Sequence, residues 1–172
     1  MKIAVFGSAF NPPTFGHKSV LERLSHFDLV LMVPSIAHAW GKEMLPYPIR
    51  CELVQLFIDD IALQNVQLCD VETHLYESEA QASVTTYAVL EQLQKDYPES
   101  DLTFVMGPDN FLQFSKFYKA NEITQKWSVL ACPETIGVRS TQIRQNCKVG
   151  HPISDLTTAG VIHYINTHQL YQ

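Results

Sequence analysis

Five stretches of the chain are apolar almost without interruption, and between them apolar residues retreat to one side of a helix. Residues 2–6, KIAVF, form the first such run. It is closed by Gly7-Ser8 and predicts a buried strand. In residues 16–25, Val20, Leu21 and Leu24 fall at helical spacing, so a helix follows the turn. DLVLMV, 28–33, predicts a second strand stopped by Pro34, and a polar and aromatic loop then leads to a helix with Pro48 in its first turn, running through LVQLFIDDIA.

The pattern continues with a third strand over 66–71, a loop of acidic and small residues, and a helix over 83–93 that ends before Pro98. A fourth strand covers 101–106 and enters the turn Gly107-Pro108-Asp109-Asn110, where Asp109 is placed to cap a short helix. A fifth strand covers 127–131, and helices over 140–147 and 157–167 close the chain. Strands apolar on both faces and alternating with helices predict an α/β fold. The expected architecture is a Rossmann-like, doubly wound, mainly parallel five-stranded sheet in one domain over residues 1–172. Ligands in such sheets sit beyond the carboxyl ends of the strands, where the strand order reverses. Function is therefore expected after strands one, two, four and five.

Composition changes this picture little: 46% of the 172 residues are apolar and 17% charged, which suits a globular chain with a real core. Charge narrows the partners. The net charge is −6 and Lys and Arg nowhere cluster, so the basic stripe that nucleic acid requires is missing. A small anion needs only a few placed cations. No run reaches the roughly 18 apolar residues of a membrane span, and the first residues read as a strand rather than a leader. Cys51, Cys69, Cys132 and Cys147 form no C-x-x-C pair, and reduced thiols in a cytoplasmic protein are expected. His26, His74, His151, His163 and His168 lack metal-ligand spacing, so no metal site built from the protein is expected.

Two strings carry the candidate chemistry. In Gly7-Ser8-Ala9-Phe10-Asn11-Pro12-Pro13-Thr14-Phe15-Gly16-His17, a glycine after a strand favours a sharp turn whose backbone N–H groups approach an anion. His17 then stands in the first turn of a helix, an end that disfavours a cation. A neutral or transiently charged imidazole donating to a phosphate oxygen fits that position; the plainer alternative is a strand–turn–helix joint with a packing histidine. In Val138-Arg139-Ser140-Thr141-Gln142-Ile143-Arg144, Ser140 and Thr141 can cap a helix and donate hydroxyls, while Arg144, one turn on, can clamp phosphate oxygens. Its plainer alternative is an ordinary cap with a solvated arginine.

The first string resembles the G-x-F-D-P-x-[HT]-x-G-H signature of a nucleotidyltransferase superfamily, with Asn11 in place of the usual Asp and Thr14 in the threonine form. The second is similar to the I-S-S-T-x-I-R motif of the same superfamily, with Arg139 for the first serine. Ser83-Val84-Thr85, Gly107-Pro108-Asp109-Asn110, Phe117 and the ending VIHYINTHQLY resemble one branch, the nicotinate-nucleotide adenylyltransferases. The resemblance implies transfer of AMP from ATP to the 5′-phosphate of nicotinate or nicotinamide mononucleotide in NAD biosynthesis, with release of pyrophosphate. ATP is a substrate, and a Mg²⁺ ion held largely by ATP and water is expected.

The resemblance also implies roles. His17, Thr14 and Lys42 would serve the reaction; Gly7, Ser8, Ala9, Phe10, Gly107, Asp109, Ser140, Thr141 and Arg144 would hold ATP; Thr85, Phe117 and Arg50 would meet the acceptor. Read singly, Thr85 is a helix cap, Phe117 a core residue and Arg50 a surface helix residue. His38, Trp40 and Lys42 fall in the loop after the second strand, where Trp40 would be a lid or an anchor. One departure concerns the acceptor half: only Cys132–Gly137 stand between the fifth strand and the second string, where the branch carries some tens of residues. Phosphopantetheine adenylyltransferases share T-x-G-H, and a non-catalytic ATP-binding regulator is the alternative from another class.

Overall fold

The computed structural model describes residues 1–37, 43–78 and 83–172. Strands β1 (Lys2–Ser8), β2 (Leu29–Pro34), β3 (Val66–Leu68), β4 (Asp101–Met106) and β5 (Ser128–Ala131) form one sheet in the order β3-β2-β1-β4-β5. Every neighbouring pair is parallel. Helices α1 (Phe15–Leu21), α2 (Tyr47–Ile61), α7 (Ser140–Val149) and α8 (Ala159–Thr167) cover one face; α3 (Val71–Ser78), α4 (Thr86–Asp96) and α6 (Ala120–Lys126) cover the other. The expected α/β doubly wound fold is thus the observed one.

The two faces explain why the strands are apolar at consecutive positions. Ala4, Phe6, Val30 and Met32 pack with Val20, Phe57, Ile143 and Val161 on one side of the sheet. Ile3, Val5, Leu29 and Leu31 pack with Val71, Leu90 and Ile123 on the other. A strand covered on both faces has no position left for a solvated side chain.

Several boundaries move. Strand β3 ends at Leu68 rather than 71, and the stretch read as a loop of acidic and small residues begins with helix α3, whose apolar face is little more than Val71 and Leu75. Helix α6 was not anticipated; its buried residue is Ile123 alone. The first helix stops at Leu21 and a 3₁₀ turn over Glu22–Leu24 continues it. Helix α4 starts at Thr86, with the Thr85 hydroxyl accepting from Ala88 N–H at 3.1 Å. Helix α5 (Pro108–Gln113) has Gly107, not Asp109, at its cap.

The chain builds β1, β2 and β3 outward in one direction, then returns to add β4 and β5 on the other side of β1. The strand order therefore reverses between β1 and β4, and the loops leaving their carboxyl ends diverge there. Those loops begin at Ala9 and Gly107. No helix among the described residues is long and apolar enough to cross a membrane.

Candidate active site at the reversal of strand order

A cleft of about 640 Å³ opens at this reversal. The β1 loop, the β4 loop and the start of α7 all line it. Gly7 belongs to the extended end of β1, and a Cβ there would meet nothing nearer than Val33 O at 3.7 Å. The residue that reverses the chain is Phe10, with φ 48°, a left-handed conformation that costs a bulky side chain of order 1–2 kcal/mol. Its ring is 1% exposed, edge-on to Phe6 at 5.6 Å and to His17 at 4.9 Å, and this burial holds the strained turn in place. The glycine turn read from the sequence is thus a phenylalanine turn. Gly7, Ser8, Ala9 and Phe10 all line the cleft.

Thr14 and His17 form a reciprocal cap at the start of α1. The Thr14 hydroxyl accepts from Gly16 N–H at 3.0 Å and His17 N–H at 3.4 Å, while Thr14 N–H donates to His17 Nδ1 at 2.9 Å. An Nδ1 that accepts carries no proton, so the neutral ring holds its proton on Nε2 and presents a donor. Burial against Phe6 and Phe10 pushes the imidazole pKa down to about 4. His17 is therefore a neutral donor in the free protein, one of the two forms its position at a helix start allowed.

Thr14 is corrected. It is 1% exposed, and its hydroxyl donates to Val138 O at 3.2 Å, so its one proton is engaged inside the protein. In this conformation it orients His17 and joins two loops rather than offering a hydrogen bond to phosphate.

The two strings are bonded to each other. Ser140 Oγ donates to Pro12 O at 2.7 Å, and Arg144 Nη1 donates to Asn11 O at 2.8 Å. Gly16 lies so close to the second string that a Cβ would stand 2.3 Å from Val138 O. Behind them, Tyr171 OH donates to Asn11 Oδ1 at 2.7 Å and Thr157 Oγ1 donates to Pro13 O at 2.8 Å. The Ser140 hydroxyl proton is thus also engaged, and the helix cap is Arg139, whose N–H donates to Gln142 Oε1 at 2.9 Å. What α7 offers a ligand is its first backbone N–H groups, the exposed Thr141 hydroxyl and the remaining donors of Arg144, which also holds Thr141 Oγ1 at 3.2 Å.

The far wall contains Thr85, Gly107, Asp109 and Phe117. Phe117 is half-buried beside Phe104 and Phe114, at 6.1 and 5.3 Å, so it belongs to the core and to the cleft wall at once. Asp109 is paired with Arg139 across the cleft. Of the short connection after β5, Cys132–Gly137, Glu134 lines the cleft.

Arg50 is corrected as well. It is 1% exposed, and its guanidinium donates to Leu45 O, Ala9 O, Ser35 O and Ile36 O. It is neither a surface residue nor a wall of the cleft; it ties the loops after β1 and β2 to the start of α2. His38, Trp40 and Lys42 lie outside the described residues.

Some cleft residues escaped the sequence reading. Glu72 is 6% exposed, accepts from Ile36 N–H at 3.2 Å, and lines the cleft from the first turn of α3. Burial pushes its pKa up to about 7, against the Ile36 hydrogen bond and the Arg50 charge. A single acid in a polar stretch gives no sequence signal for this. Lys116 and Arg139 also line the cleft; in the sequence Arg139 is no more than a departure from a motif.

The arrangement suits a polyphosphate: a strained backbone turn, a neutral imidazole donor and a helix N-terminus with an arginine face one space. Residues 5–146 match the family model described as cytidylyltransferase-like. A Vibrio parahaemolyticus protein of solved structure, named by inference a nicotinate-nucleotide adenylyltransferase, is 55% identical with a TM-score of 0.89, over 99% of this chain and 96% of that one. A relative from Anaeromyxobacter dehalogenans (strain 2CP-C), also so named by inference, is 24% identical over 185 residues, 99% of this chain and 97% of its own length. The Plasmodium falciparum nicotinic acid mononucleotide adenylyltransferase complexed with NaAD shares the fold at a TM-score of 0.79 and 17% identity, over 99% of this chain and 97% of that one.

Proposed function

Since the chain belongs to the cytidylyltransferase-like family of nucleotidyltransferases, and within it to the nicotinate-nucleotide adenylyltransferases, we propose that it transfers AMP from ATP to the 5′-phosphate of nicotinate mononucleotide. The products are the dinucleotide and pyrophosphate. One observation carries this reading: hydrogen bonds join the β1 loop to α7, so His17 and the α7 N-terminus face the same cleft.

In this reading the acceptor phosphate attacks the α-phosphorus in line. It is already a nucleophile at neutral pH, so no general base is needed, and catalysis consists of positioning and of stabilising developing charge. His17 donates from Nε2 to an α-phosphate oxygen, a bond that strengthens as charge builds there. The Thr141 hydroxyl, the first N–H groups of α7 and Arg144 hold the β- and γ-phosphates that leave as pyrophosphate. Ser8, Ala9 and Phe10 offer backbone to the nucleotide, and Thr85 and Phe117 border the pyridine.

Mg²⁺ suits such a substrate because it neutralises phosphate charge. Among the described residues no group of three His, Cys, Asp or Glu side chains is placed to hold a metal. The fit is to an ion carried mainly by the triphosphate and water, with Asp109 on the helix-α5 wall as an outer-sphere partner.

Pyrophosphate release from ATP with nicotinate mononucleotide, nicotinamide mononucleotide and phosphopantetheine, assayed side by side, tests the reading. Release dependent on nicotinate mononucleotide supports it. Release with phosphopantetheine alone, or ATP binding without release, contradicts it.

A further inference from the structure

Arg139 sits immediately before α7, and its backbone N–H is fixed by Gln142. Its side chain reaches across the cleft to Asp109 on α5 and lies 3.5 Å from Glu134. All three residues line the cleft, beside Ser140, Thr141 and Arg144. Arg139 and Asp109 are well exposed, with side-chain accessibilities of 50% and 69%, and Glu134 retains 24%. An exposed pair of this kind adds little to stability, so it is a poor reason for a bridge between two walls. It also leaves two carboxylates against one cation at the place where the proposed function puts a polyanion.

We propose that Arg139 is a second polyphosphate ligand, held by Asp109 and Glu134 in the free protein and exchanged onto the β- and γ-phosphate oxygens when ATP enters. A guanidinium pairs with phosphate through two parallel hydrogen bonds, as it does with carboxylate, and a triphosphate offers it more acceptor oxygens than the two acids. The exchange leaves Asp109 and Glu134 without their cation beside the nucleotide, a repulsion that opposes it. ATP affinity is therefore set by a competition between phosphate and the Glu134–Asp109 pair for one arginine. This inference rests on the proposed function, because it takes the ligand of the α7 end to be a polyphosphate.

Calorimetric titration of the full chain with MgATP tests it, using the wild type, Arg139→Gln, Glu134→Gln and the double variant, each checked for an unchanged melting temperature. Arg139→Gln is expected to weaken ATP binding about tenfold. Glu134→Gln is expected to tighten it about threefold, and that gain should shrink by at least half in the double variant, because the freed partner is gone. Adenosine binding should be unchanged in all four. ATP binding by Arg139→Gln within twofold of the wild type overturns the inference, as does a Glu134→Gln gain that persists in full without Arg139. Failure of the wild type itself to bind ATP overturns the proposed function and this inference together, whereas the other failures leave the proposed function standing.

Discussion

Arg144 donates from Nη1 to the carbonyl of Asn11 at 2.8 Å, across 133 residues of chain. A guanidinium read from the sequence as a phosphate clamp therefore has a second duty, fastening α7 to the loop that carries His17. Ser140 makes the companion bond to Pro12 O. Two strings at opposite ends of the chain become one wall, and the distance from His17 to the α7 N-terminus is set by these bonds rather than by the ligand. Such preorganisation is what electrostatic catalysis requires.

Gly16 is where this joint is tightest. A Cβ at that position would meet Val138 O at 2.3 Å, a backbone atom with no rotamer to yield. Gly16→Ala should cost about 2–4 kcal/mol, lowering the melting temperature by roughly 4–16 °C, and should raise the KM for ATP. Gly7→Ala, whose Cβ would be 3.7 Å from Val33 O, should leave the melting temperature within about 2 °C. Thermal unfolding of the two variants side by side checks the contrast; equal losses would contradict it.

His17 is held neutral by burial, its pKa near 4. Because an unfolded histidine titrates near 6.5, the unfolded chain binds this proton first, and stability is lost as pH falls from about 6.5 toward 4. In the free protein, imidazole ¹⁵N resonances of His17 should report the neutral Nε2–H form down to about pH 5. Titration of that ring near pH 6.5 would contradict the burial that holds it neutral.

Glu72 has the opposite linkage. Its carboxyl is raised to about 7 in the fold, so its contribution to stability is fully present below the unfolded value of 4.5 and disappears as pH rises through 7. Glu72→Gln removes that dependence. Urea unfolding should show the variant gaining about 1–3 kcal/mol on the wild type between pH 4.5 and pH 8. A difference that does not change with pH would show that the carboxyl ionises freely.

The sheet was legible in the sequence because β1, β2 and β4 are covered on both faces, and continuous apolar runs have few other readings. Helix α3 was not, since Val71 and Leu75 are a thin apolar face and Glu72 reads as a surface acid. Ile123 alone could not announce α6. The positions of His17, Thr141 and Arg144 on the cleft followed from their motifs, but the engagement of hydroxyls did not. Thr14 gives its proton to a carbonyl 124 residues away, and no local pattern carries that information. Arg50 was misread for the same reason: a charged helical residue looks solvated until the carbonyls of Ala9, Ser35, Ile36 and Leu45 arrive from other loops.

In the proposed reaction His17 is the donor that stabilises the reacting phosphate. The direct measurement is steady-state pyrophosphate release from ATP and nicotinate mononucleotide by the wild type and by His17→Ala. The side chain lies half-buried at the cleft rather than in the deepest core, so the variant should still fold, by circular dichroism and thermal unfolding. Its kcat should fall by about 10²–10³-fold, far more than its affinity for ATP. A folded His17→Ala protein that keeps kcat within about tenfold of the wild type would contradict the account.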